Sequence, residues 1–261
     1  HRAASYSYWK SVNSIFEIHN ETANIWSHLL GATWFLLMFI EFFYSGLAYH
    51  ISLGDGVALG LYYLCVMVCF LLSTSFHTFC DHSSDVHKLS NELDHLGIVL
   101  LMWGTGMSGT HFAFYCHPTI RSAYFALLTI TAFGCGLFTL QPKFRQPDYK
   151  TTRYLMYVLL DASLFAPVLH GLLSFGVSSL EEMMGLGSFL HLAVINSFGA
   201  ALYVWRIPER WYPGMFDLIG HGHNWMHVLA LVGALVRLQG LLQVADAWQR
   251  GGHMHGFCNA L

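Results

Sequence analysis

Apolar residues in this chain gather into long runs separated by short polar stretches. Seven of the runs approach the ~20 residues that a helix needs to cross a hydrocarbon core. They cover residues 25–46, 57–79, 94–115, 120–140, 153–175, 186–205 and 216–244. Asn20-Glu21-Thr22-Ala23-Asn24 offers helix-start chemistry before the first run, and Pro142 with the charged stretch 143–150 stops the fourth. The polar stretch 81–92 reads as a loop. Residues 6–18 mix aromatic with polar side chains and are too broken to span, which suits a headgroup boundary. No β-barrel alternation and no internal repeat is visible in the sequence. The predicted fold is an all-α, seven-transmembrane helix bundle. Residues 1–23 form an interfacial segment on the cytosolic side, 24–245 the helix domain with its site, and 246–261 a polar, glycine-rich extracytosolic tail.

Composition sharpens this picture. The chain is 55% hydrophobic and only 10% charged, whereas soluble domains carry about a quarter charged residues. Such a surface suits lipid and not water. An integral multi-pass membrane protein is expected, in the plasma membrane or an internal membrane such as endoplasmic reticulum or Golgi. The net charge of −3 comes without a basic stripe, so a nucleic-acid partner is excluded. The chain opens on His1 and is expected to be trimmed at its start, with no cleavable signal peptide in view. Its six cysteines are too scattered to read as a disulfide framework, and Cys65, Cys69 and Cys135 fall inside apolar runs as small hydrophobes.

Lysine and arginine set the orientation. Arg2, Lys10, Lys88, Lys143, Arg145, Lys150, Arg153, Arg206 and Arg210 all fall on one side of a seven-span layout, leaving Arg121, Arg237 and Arg250 on the other. By the positive-inside rule the N-terminus is cytosolic and the C-terminus outside, opposite to G-protein-coupled receptors.

The same layout brings candidate chemistry together. His223 and His227 lie four apart, about 40° around a helix axis, so both can face one ion. The second run ends on Ser73-x3-His77, and Asp94 opens the third. With this orientation His77, Asp94, His223 and His227 all reach the cytosolic end of their helices. Three neutral imidazoles with one open position are a zinc arrangement suited to catalysis. Asp94 has three options: to ligate the ion, to hydrogen-bond a bound water, or to orient a histidine. The reading adopted is the hydrogen bond to the water, with Ser73 supporting the site and not attacking a substrate. The plain alternative is a pair of satisfied histidines, since seventeen histidines make chance HxxxH pairs expected; at membrane depth, however, ionisable groups are costly and usually functional. His221 with His223 is a rival pair that diverges on a helix. His28, His170 and His191 are read as packed, hydrogen-bonded histidines, His253 and His255 as tail residues, and His95 is left open.

These residues resemble the progestin and adipoQ receptor family, with its adiponectin receptors and its fungal zinc-homeostasis and haemolysin III relatives. The resemblance rests on residues 20–31, on Ser73-x3-His77 with Asp94, on residues 206–214 from Arg206 to Gly214, and on His223-x3-His227. It implies seven helices with a cytosolic N-terminus, a zinc ion on His77, His223 and His227, and a water hydrogen-bonded to Asp94. It also implies ceramidase-like hydrolysis of a lipid amide with Asp94 as general base, tied to receptor signalling. Arg153 matches an arginine that touches bound lipid in the family, and is otherwise a positive-inside anchor. The expected partners are membrane lipid, ceramide or fatty acid, and an extracellular ligand. His95 departs from the adiponectin receptors, which carry tyrosine there. The alternatives are a receptor or sensor in which zinc is purely structural, with a role in lipid or zinc homeostasis, and, more weakly, zinc transport or a pore.

Overall fold

A computed structural model of the chain describes residues 2–44, 51–145, 149–250 and 258. Among the described residues there is no strand. Among these residues eight α-helices follow one another: α1 (Tyr8–Asn13), α2 (Thr22–Tyr44), α3 (Leu53–Phe79), α4 (Ser84–Ala113), α5 (Pro118–Leu140), α6 (Lys150–Met184), α7 (Leu186–Trp205) and α8 (Gly222–Arg250). Six of them, α2, α3 and α5 to α8, are long and apolar enough to cross a membrane. Their outward faces expose Trp34, Leu37, Ile130, Phe133, Leu173 and Val194. An aqueous surface would not tolerate this, and the chain is an integral multi-pass membrane protein.

Helix α4, the third of the seven expected spans, is 30 residues long but is not among the six apolar ones. It packs against α3, α5 and α6, and buries Glu92, Thr105, Ser108, Thr110 and His111. A helix surrounded by other helices has no need of an apolar surface. It meets α3 at close range because Gly97 lacks a side chain: a β-carbon there would lie 3.0 Å from Cys69 Cα, the use of small residues expected at membrane helix contacts. The apolar core joins Phe35, Tyr62, Phe70, Phe112, Phe189 and Leu241.

Several boundaries differ from the sequence reading. The stretch 81–92 is loop only as far as Ser83, whose side chain accepts from the Val86 N–H and caps α4, with Asp85 in the first turn. Helix α8 begins at Gly222, later than residue 216, because Pro208 and Pro213 and the left-handed Gly214 and Gly220 interrupt the backbone before it; at its other end it runs on past residue 244 to Arg250. Helix α6 continues past residue 175 to Met184, but leaves helical geometry at Gly176 (φ 79, ψ 173). The cysteines also need correction, since Cys116 and Cys258 form a disulfide. Cys258 lies 142 residues further along the chain than Cys116, a separation without any local signature.

Charges secure the helix ends. Arg2 donates to the carbonyls of His77 (2.5 Å) and Thr78 (3.0 Å) at the end of α3, where helical carbonyls lack partners and a cation is favoured. Arg237, wholly buried, does the same for α6. It donates to Met184 O (2.8 Å), Gly185 O (3.1 Å) and Ser188 Oγ (2.8 Å).

Candidate metal centre

The last turns of α3 present Ser73 and His77, and the first turns of α8 present His223 and His227. One ring nitrogen from each of the three histidines lies within 4.8 Å of those of the other two. His77 and His227 are each 2% exposed, and His223 is half-buried. Nε2 of His223 and Nε2 of His227 face each other at 2.9 Å. Nδ1 of His77 donates to Glu21 Oε2 at 2.8 Å, which leaves Nε2 buried with no hydrogen-bond partner. A buried nitrogen without a partner is costly, and two facing imidazole lone pairs repel unless a proton or a cation lies between them. A metal ion would satisfy all three nitrogens together, so these residues fit one. Three neutral imidazoles are a donor set typical of zinc, copper, iron or nickel.

Asp94, on α4, comes to this cluster from the side. It is partly buried, with Ser73, His77 and His95 as its polar neighbours. His77, His223 and His227 are thus brought together, with Ser73 one turn before His77 on α3 and Asp94 in the first half of α4. Arg153 falls in the first turn of α6, and its side chain is outside the described residues. His95 is exposed and bonds back to Asn91 O within its own helix (2.7 Å). His221 stands apart, with Nε2 3.5 Å from Asn20 O. His170 takes Tyr124 as partner. His253 and His255 lie outside the described residues. His28 is packed as predicted, stacked between Phe70 (4.5 Å) and His227 (4.0 Å).

A second layer was not foreseen. Glu21, Asn24 and Asn224 surround the histidines from the start of α2 and α8. Asn24 Nδ2 donates to Glu21 Oε2 (2.8 Å), Asn224 Nδ2 to Asn24 Oδ1 (2.6 Å), and Gly220 N–H to Asn224 Oδ1 (2.8 Å). Burial raises the Glu21 carboxyl, but the hydrogen bonds from His77 and Asn24 outweigh it and hold it at about 2. The one sequence signal was a carboxylate and two asparagines within residues 20–24, which helix-start chemistry explained equally well. A cavity of about 370 Å³, lined in part by Glu21, Asn24, Phe76, His77, Cys80 and His223, opens onto this layer.

Residues 16–238 match the family described as Haemolysin-III related. The chain is 31% identical to the adiponectin receptor protein of Drosophila melanogaster over 94% of its own length and 55% of that protein's. It is 30% identical to the progestin and adipoQ receptor-like protein 1 of Caenorhabditis elegans, over 95% and 57%. To the ADIPOR-like receptor IZH2 of Saccharomyces cerevisiae it is 31% identical, over 90% and 75%. The chain therefore spans little more than half the length of the first two relatives. With a match through most of its own length, carrying the spans and all three histidines up to residue 227, the chain belongs to the haemolysin-III-related family, with the progestin and adipoQ receptors.

Proposed function

We propose that this chain is an adiponectin-receptor-like membrane protein whose three histidines hold zinc for the hydrolysis of a lipid amide, ceramide being the leading case, in a protein that also signals as a receptor. The observation that carries the reading is the three-histidine cluster with its buried, unpartnered His77 Nε2, which has the Asp94 carboxylate as a neighbour outside the cluster. When bound, zinc supplies Lewis-acid polarisation of the amide carbonyl and makes a water more acidic. Asp94 takes the proton from the attacking water and returns it to the departing amine. Ser73 holds the Asp94 carboxylate in place for both transfers. Arg153 is assigned to the lipid's polar end.

The reading includes α4 as the seventh span, a cytosolic N-terminus and an outward C-terminus. The Cys116–Cys258 disulfide supports it, because such bonds persist in oxidising compartments. Cys116 follows the end of α4 opposite to the one that carries Asp94. An extracellular ligand and residence in the plasma membrane or an internal membrane belong to the same proposal.

The test uses detergent-purified protein, measuring bound zinc and fatty-acid release from ceramide for wild type, Asp94→Ala and His223→Ala. The expected outcome is that Asp94→Ala keeps zinc and fold but loses turnover, whereas His223→Ala loses zinc. Unchanged turnover in Asp94→Ala would refute the catalytic role. A second reading has its own support: the histidines come from α3 and α8, so an ion would clamp two helices. Zinc that is needed for folding, in a protein that cleaves no lipid, would establish that reading instead.

A further inference from the structure

We propose that Glu21 is a positioning residue for the metal centre, fixing the tautomer and direction of His77, and that the Asn24–Asn224 pair locks it to α8. The inference rests on the reading that the histidines hold a metal. A neutral imidazole carries one N–H and one lone pair, and its partner decides which nitrogen carries which. A carboxylate only accepts. Glu21 Oε2, at 2.8 Å from His77 Nδ1, therefore fixes the proton on Nδ1 and leaves the lone pair on Nε2. That is the nitrogen left buried and unpartnered. Both oxygens of Glu21 are themselves held: Oε1 accepts from Asn20 Nδ2 (2.5 Å), and Oε2 accepts from Asn24 Nδ2 (2.8 Å) as well as from His77. Asn24 is 2% and Asn224 5% exposed, and each amide uses its donor and its acceptor. Asn24 gives Nδ2–H to Glu21 and accepts at Oδ1 from Asn224 (2.6 Å). Asn224 in turn accepts from Gly220 N–H, just before the helix that carries the other two histidines. Polar residues at the start of α2 thus set the aim of a ligand on α3 and tie it to the ligands on α8. Carboxylates that bind the second nitrogen of a metal-bound histidine usually contribute 10- to 100-fold in metal affinity, as an order of magnitude of about ten to a hundred.

The test is zinc affinity by chelator competition on the full chain in detergent, with cobalt substituted for the absorption spectrum, on wild type, Glu21→Ala, Glu21→Gln and Asn24→Ala. Thermal unfolding of the metal-free form of each is recorded alongside. Glu21→Ala is expected to weaken zinc binding by about 10- to 100-fold and to alter the cobalt spectrum, alongside a lower metal-free unfolding temperature from the donors it leaves unpaired. Glu21→Gln, which can still accept from Nδ1–H, should recover part of the affinity. Asn24→Ala should fall between Gln and Ala. Unchanged zinc affinity and cobalt spectrum in Glu21→Ala, or a loss confined to metal-free stability, would overturn the inference and leave the metal site standing. Wild type that binds no zinc would overturn the metal reading itself.

Discussion

Gly97→Ala is the sharpest probe of how the helices build the site. A β-carbon at Gly97 would lie 3.0 Å from Cys69 Cα and 3.3 Å from the Cys69 carbonyl oxygen. Both are backbone atoms and cannot rotate aside. Carbon atoms pack comfortably at about 3.5–4.0 Å, so α3 and α4 must part locally by roughly 0.5–1 Å. Overpacking of this kind costs about 1–3 kcal/mol. Ser73 and His77 follow Cys69 by one and two turns on α3, while Asp94 lies within a turn of Gly97 on α4. The separation therefore opens the gap between Asp94 and its partners. Displacement of a catalytic group by about 1 Å can cost roughly 100-fold. Zinc content should not change, because the three ligands lie on α3 and α8. Thermal unfolding, bound zinc and ceramide turnover are measured together, with Gly134→Ala as control. Its β-carbon would meet only the flexible tip of Met156 at 3.9 Å, so stability should stay within about 0.5 kcal/mol. Wild-type stability and turnover in Gly97→Ala would refute the idea that close approach positions Asp94. Loss of zinc alongside turnover would show that α4 holds the ligands as well.

Three further outcomes follow from the same contacts. His19 lies below its ordinary value, first through burial and then through the Arg2 charge. Its Nδ1 accepts from the Glu21 N–H while Nε2 donates to Ser14 O, so the neutral ring is the one that fits. A depressed histidine stabilises the fold above its ordinary value of about 6.5 and that stability is lost as pH falls. In metal-free protein, unfolding temperature should drop between pH 7.5 and 5, and drop less in His19→Gln; identical profiles would refute the assignment. Cys116→Ser should free Cys258 for an impermeant thiol reagent on intact cells, whereas labelling only after permeabilisation would place that end in the cytosol. Substituting both Asn24 and Asn224 with Ala should cost less than the sum of the single changes, with a coupling of about 0.5–2 kcal/mol in unfolding; strict additivity would mean the amides do not act together.

The apolar runs and the four-residue spacing of His223 and His227 were legible because each repeats with the period of a helix. Their meeting with His77 and Asp94 was legible from topology, since the order of spans decides which ends share a side. Other features left no periodic trace. Ser83 hides as a cap among the polar residues 81–92, so α4 starts earlier than its apolar part. The apolar part of the same helix reads as a run at 94–115, but the helix is not among the six apolar ones, because its surroundings are largely protein. Glu21 and His77 are brought together only by the packing of α2 on α3, and the disulfide joins two cysteines 142 residues apart that no local pattern connects.

The break at Gly176 also bears on where the bilayer is expected to lie. Backbone that leaves helical geometry cannot face hydrocarbon, where its freed groups find no partner. At 1.5 Å per residue, positions 155–175 span roughly 31 Å, the thickness of a hydrocarbon core of about 30 Å. On this argument Gly176 is expected near the level at which acyl chains give way to headgroups. Glu181, Glu182 and the turn at Gly185 would then stand beyond that line, and Arg237, which caps the turn, would carry its charge at the rim of the membrane and not at its centre.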